Sequence, residues 1–412
     1  MNEAGEGLYV EREKRVTDAI ELRTPDRVPI IVRFHFFPAK YTGATAEELM
    51  YDPKKAEESY WKVIREFEPD MIQNPFERYL GPLLDALDCR QARWPGRNLP
   101  PHLPYQFIEQ EYMKAEEYDH LLSDPSDFIV RRLWPRIFGS LKGLEKLRPL
   151  HHAVSYSVGM QTAFGAPEVL EALDALRKVS EESIKIMSYS RMFKEASRKE
   201  GFPMEAEAST QAPFDFLADF FRGTKGILLD MYRRPEVVVR ACEKVLPFLV
   251  ERAVMPARAS GNPRVFIPLH KGVDGAMSRE QYLKFYWPTL RELMLALIAE
   301  GLSPCPFFEG EYASRLDIIK DMPAGKACYK FETMDMVKAR EILGEGICLR
   351  GGFPVSLLVT ATPDRVREYC KKLIEGVGKK GAYIMDASTG LDDARPENVR
   401  ALFDATREHG RS

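Results

Sequence analysis

Val265-Phe266-Ile267-Pro268-Leu269, followed at once by His270-Lys271, is an apolar run too short for a helix and closed by charge. Such a run reads as a strand buried on both faces. Four more follow it, at 304–308, 327–331, 347–350 and 382–385. Between them lie helix-like stretches with clear start signals. Ser278-Arg279-Glu280-Gln281 has the form of a capping box, in which Ser278 and Gln281 satisfy each other's exposed backbone donors. Thr362-Pro363 and Arg395-Pro396 each place proline at a first helical position, where its missing N–H costs nothing. Strands alternating with helices argue for βα units and a parallel sheet.

The first half of the chain supplies three more strand-like runs, at 28–34, 70–73 and 204–209. Eight runs in all predict an α/β fold of the (β/α)8 TIM barrel type, with eight parallel strands closed into a ring. The 412 residues exceed the roughly 250 of a bare barrel, so a large insertion is expected. The segment 75–202, helical in pattern with a Pro/Gly-rich stretch at 94–104, is the place for it. The expectation is one barrel domain over 1–412, with 75–202 as a helical insertion in its N-terminal half.

Composition narrows the function. The net charge is −3, and 45% of residues are hydrophobic against 29% charged, as in an ordinary globular protein. A basic excess of the kind nucleic acid demands is missing. No apolar stretch reaches the roughly 18–20 residues of a membrane span. The N-terminal residues carry both charge signs and no apolar core of a signal peptide, so a cytoplasmic location is expected. None of the six cysteines forms a Cys-x-x-Cys pair, and buried free thiols are the simple reading.

A barrel builds its active site at the C-terminal ends of its strands. His270 follows the fourth strand directly, as a metal ligand, a general base or a histidine satisfied by a neighbouring loop. Glu309 emerges from Pro304-Cys305-Pro306-Phe307-Phe308, so it should be paired, protonated or metal-bound. Asp386 ends the eighth strand, where an acidic group either acts or caps a loop. Substrate-binding candidates at the other strand ends are Arg33, His35 and Phe36, then Asn74, Gln211 and Arg350. The aromatics Phe34, Phe36, Phe37 and Phe308 either line a pocket for an apolar ligand or simply pack.

Several segments together resemble the uroporphyrinogen decarboxylase superfamily. They are Thr24-Pro25-Asp26-Arg27-Val28-Pro29, Arg222-Gly223-Thr224 with Asp230-Met231-Tyr232-Arg233-Arg234-Pro235, and Met277-Ser278-Arg279-Glu280-Gln281-Tyr282. Phe308-Glu309-Gly310, Gly351-Gly352-Phe353-Pro354 and Ala394-Arg395-Pro396-Glu397-Asn398-Val399 continue the match. The resemblance implies a (β/α)8 barrel in a superfamily of porphyrinogen decarboxylases and corrinoid-linked methyltransferases. The decarboxylases carry Arg-Gln-Ala-Gly-Arg after the first strand, where this chain has Phe34-His35-Phe36-Phe37-Pro38. An octacarboxylate substrate has lost its basic clamp. The thiol-methylating members hold zinc with His-x-Cys and a later Gly-Cys-Gly. Here the segments read His270-Lys271-Gly272 and Ser388-Thr389-Gly390, so the histidine is kept and both thiolates are gone. An oxygen-rich zinc site on His270 and Glu309, with Asp386 as a third candidate, is what the resemblance leaves.

The reading is a methyltransferase-like enzyme taking a methyl group from a small, largely apolar donor, for example a methoxylated aromatic. The acceptor is a corrinoid on a partner protein. His270, Glu309 and Asp386 are the candidate catalytic residues. Two alternatives stand beside it. One is a cofactor-independent decarboxylase or lyase of a small carboxylic acid, clamped by Arg33 or Arg350. The other is a non-catalytic barrel that binds a tetrapyrrole or corrinoid.

Overall fold

The computed structural model describes residues 3–152, 161–379 and 381–411. Six strands pair in chain order in one parallel sheet: β1 (Ala208–Ser209), β2 (Arg264–Leu269), β3 (Ser303–Glu311), β4 (Cys328–Thr333), β5 (Cys348–Gly351) and β6 (Tyr383–Ile384). Two short segments close the ring. Ile31 N–H donates to Met385 O at 3.0 Å, and Met385 N–H to Pro29 O at 2.8 Å, so segment 28–34 lies beside β6. Asp70 N–H donates to Ile30 O at 2.9 Å, and Ile72 N–H to Pro203 O at 3.0 Å, so segment 70–74 joins 28–34 to the chain entering β1. Six of the eight expected runs are strands of this sheet; the other two, 28–34 and 70–73, take their expected places in the order but are not strands, each making a single bridge.

The helices start where their sequences say. Ser278 and Gln281 form the reciprocal capping box. The helix that follows widens by one turn at Tyr282–Tyr286 before continuing as Trp287–Ala299. Pro288 lies just past that turn and has no N–H to give it. The insertion between segment 70–74 and β1 contains the 33-residue helix Pro167–Lys199. The tandem His151-His152 lies in it, exposed.

One end of the barrel is apolar and the middle is charged. The helix Glu3–Ile20 lays Val16, Ala19 and Ile20 against Ile31, Met71, Cys328, Cys348 and Ile384. This plugs the end where the strands begin, and Cys305 packs against it. All six cysteines are free thiols. Above the plug the interior carries charge. Arg33 Nη2 donates to Glu205 Oε1 at 2.8 Å and Arg350 Nη1 to the same oxygen at 2.6 Å. Arg350 Nε reaches Asp386 Oδ2 at 2.8 Å, and Lys330 Nζ lies 2.7 Å from it. These residues come from opposite sides of the ring, so the chain of ion pairs runs through its centre.

Candidate active site at the mouth of the barrel

His270 leaves the end of β2 and is held from three directions. Its backbone N–H donates to Asp215 Oδ2 at 2.9 Å, and Lys271 N–H donates to Asp215 Oδ1 at 2.9 Å. Its ring Nδ1–H donates to Asp219 Oδ2 at 2.6 Å. Its Nε2 faces Glu309 Oε1 of β3 at 3.6 Å, and the imidazole keeps 30% of its surface exposed. Asp215 and Asp219 stand four residues apart on one helical face, so both carboxylates reach the same strand end.

The electrostatics follow from this packing. Desolvation pulls the imidazole down, but hydrogen bonding to Asp219 and Glu309 overrides it and raises His270 to about 11. The ring is an imidazolium at neutral pH. Asp215 moves the other way for a carboxylate, up to about 6, through burial and the neighbouring charge of Asp219. Lys271 Nζ completes the cluster, 2.8 Å from Glu109 Oε2 and 3.3 Å from Asp219 Oδ1. The expected pair His270–Glu309 is thus brought together.

A zinc ion does not fit these residues. Only the His270 Nε2 and Glu309 Oε1 atoms converge, and Nδ1 is committed to Asp219. Among the described residues no three His, Cys, Asp or Glu side chains come together as a metal set. A side chain at position 272, where a thiolate is needed, has no room either. A Cβ there falls 2.8 Å from Tyr286 and 2.9 Å from Tyr282 ring atoms.

The other candidates divide between two places. Arg33, His35 and Asn74 line a cavity of about 520 Å³ between segments 28–34 and 70–80 and the chain around β1. The Arg33 guanidinium stacks on Phe266 at 3.6 Å. His35 sits at φ 48, with Tyr79 donating to its carbonyl. Desolvation, with Arg78 adding to it, lowers its pKa to about 4, so the ring is neutral. Asn74 caps the turn behind it through Phe76 N–H and donates to Ser190 Oγ at 2.6 Å.

Asp386 and Arg350 do not share that pocket or join His270. Both are buried, at 0% and 4% exposure, in the ion-pair chain. An acid at the end of a short strand still points inward when cations on the neighbouring strands are there to meet it. Gln211 is also buried, and its amide oxygen accepts from Arg252 at 3.5 Å. The aromatic lining needs a larger correction. Phe34, Phe37 and Phe308 are fully buried core residues, and Phe36 packs on Tyr79 and Tyr105. Phe34 and Phe37 meet Phe67 of the helix Pro53–Phe67, which claims their faces before any ligand can. The rings that do line the cavity are Tyr60, Phe76, Tyr79 and Phe266.

Sequence reasoning missed Asp215, Asp219, Glu205 and Lys330. Lys330 carried a signal, a lone cation inside the apolar run Ala327-Cys328-Tyr329-Lys330-Phe331. Asp219 carried none, because its partner lies 51 residues away.

The uroporphyrinogen decarboxylase (URO-D) family model matches residues 158–409, well over half of the chain. The chain belongs to the uroporphyrinogen decarboxylase family. Curated relatives include the uroporphyrinogen decarboxylase of Chlorobium phaeobacteroides, 24% identical over 183 residues, or 43% of this chain and 51% of the relative. That of Danio rerio is 26% identical over 194 residues, 44% and 49% of the two chains. The chain thus spans about half the length of the curated relatives it matches. Among solved structures, a methyltransferase from Methanosarcina mazei superposes with a TM-score of 0.62 at 14% identity, covering 96% of this chain and 98% of that one. That likeness is one of fold, and it covers nearly the whole chain. No helix among the described residues is long and apolar enough to cross a membrane.

Proposed function

We propose that the protein is a methyltransferase-like enzyme that removes the methyl group of a small, largely apolar donor, such as a methoxylated aromatic. The observation that carries this reading is the imidazolium of His270, held between Asp219 and Glu309 and open to the barrel mouth. When an aryl methyl ether loses its methyl group, the C–O electron pair stays on oxygen as a phenoxide. The conjugate phenol has a pKa of about 10, close to the value of about 11 for His270. A proton on Nε2 is therefore retained at neutral pH and released only as charge builds on the oxygen. Asp219 fixes the ring through Nδ1, and Glu309 holds the proton-bearing edge toward the mouth. The exposed edge lets solvent restore the proton after each turnover.

A corrinoid, carried by a separate protein, supplies the nucleophile that accepts the methyl group. The fold shared with a methyltransferase supports the reading, as does family membership. The donor and the partner are part of the proposal.

The test is methyl transfer from a panel of methoxyarenes to reduced cobalamin, followed by the absorbance of the methylated product. His270→Gln should lower the rate by about 10²–10⁴, the usual worth of a general acid. Glu309→Gln should keep the fold and lose a smaller part of the rate. A wild-type protein that transfers no methyl group from any donor, or a His270→Gln protein with unchanged turnover, overturns the proposal.

A further inference from the structure

The cavity of about 520 Å³ lies apart from the His270 cluster, and its charges do not balance. Arg33 forms part of its wall, is only 9% exposed, and has an Nε donor that finds no acceptor among the described residues. Its single carboxylate partner, Glu205, is shared with Arg350 and also accepts from Gln73. The buried ion-pair chain as a whole sets three cations, Arg33, Arg350 and Lys330, against two carboxylates, Glu205 and Asp386. Arg350 Nη2 is a second donor there without an acceptor. Desolvation draws Lys330 down to about 8, and the nearby arginines add to it, which still leaves it mostly charged at neutral pH.

Two further arginines face the cavity. Arg78 is half-buried and donates to Tyr105 Oη at 2.6 Å. Arg252 is exposed at the rim. Among the described residues neither has a carboxylate within 4.0 Å, whereas Glu207, also in the lining, is taken by Lys194 at 2.6 Å. Glu77 is the one lining carboxylate that opposes them. A buried guanidinium with a spare donor is costly unless something accepts from it, and the same wall is aromatic through Phe266, Phe76 and Tyr79.

We propose that this cavity binds a small aromatic carboxylate, with the carboxylate on the arginine side and the ring against Phe266, Phe76 and Tyr79. Arg33 Cζ lies over the Phe266 ring at 3.6 Å with its Nε–H unpaired among the described residues, so a ring entering beside them meets aromatic surface and a free donor together. The interior excess of one positive charge favours a monoanion at this spot. The cavity is separate from the His270 cluster, so it is a binding site in its own right and stands without the methyl-transfer reading.

The experiment is calorimetric titration of the full chain with benzoate, 4-methoxybenzoate, methoxybenzene and inorganic phosphate. Both acids should bind at least tenfold more tightly than methoxybenzene or phosphate. Arg78→Gln and Arg252→Gln lie outside the buried ion-pair chain, so they keep the test independent of folding. At least one should weaken benzoate at least tenfold and leave methoxybenzene unchanged, while Glu77→Gln should tighten benzoate. Methoxybenzene binding as tightly as benzoate would overturn the proposal. So would phosphate binding as tightly, since the ring is then irrelevant, or benzoate affinity unchanged in both arginine variants. Benzoate has no methyl group to give. If it binds as stated while methyl transfer fails, the reaction is wrong and the site is right. If methoxyarenes react while benzoate does not bind, the reverse holds.

Discussion

At the scale of single residues, His270 ties chemistry to stability. Its folded pKa of about 11 lies far above the unfolded value of about 6.5. A raised pKa stabilises the fold fully below about 6.5, progressively less as pH rises, and not at all above about 11. Wild-type and His270→Gln urea midpoints should therefore differ most at pH 6 and converge toward pH 10. A gap that stays constant over this range would show that the imidazolium is not what Asp219 and Glu309 hold. What could be read in advance at this scale was position. His270 and Glu309 stand out because each follows an apolar strand directly. Phe34 and Phe37 were open to two readings because a phenylalanine at a strand end looks the same whether it meets a ligand or a helix. Phe67 decided it, and Phe67 is a tertiary neighbour.

At the scale of elements, the first two strand segments are the weak part of the ring, each held by a single bridge. A side chain does much of the missing pairing. Asp70, fully buried, accepts from Ile30 N–H at 2.7 Å and from Arg15 and Arg27 at 2.7 Å. It thereby fastens the helix Glu3–Ile20 and segments 28–34 and 70–74 to one point. Asp70→Ala leaves two arginines and a backbone donor uncompensated and should cost about 3–5 kcal/mol in urea unfolding. A loss below about 1 kcal/mol, an ordinary surface value, would mean that the helix docks through its apolar face alone. The strands themselves were legible because a strand covered on both faces shows as an unbroken apolar run. The thinness of the first two was not, since pairing strength depends on the neighbour and not on the run.

At the scale of the whole molecule, the uneven charge of the barrel interior sorts its substitutions. Lys330→Met removes the surplus cation and leaves two arginines with two carboxylates, so it should change stability by no more than about 1.5 kcal/mol. Asp386→Asn leaves three cations facing Glu205 alone and should cost about 3–5 kcal/mol. Denaturant unfolding of the two variants gives the order. Equal losses would mean that the interior network acts as a neutral scaffold.

The contact between Met385 and the segment at Ile31 has a consequence for biogenesis. The seam of the barrel joins residues 354 positions apart in the chain, as 385 minus 31 gives. During synthesis at about 5–20 residues per second, the first strand segment waits roughly 20–70 seconds for its outer neighbour to leave the ribosome. Through that interval it offers an open edge with Ile30, Ile31 and Val32 on it, the kind of template that invites pairing with another chain. Closure of the ring is thus a late, long-range event of the slow class. A nascent chain stalled before residue 382 is the form of this protein most in need of a chaperone.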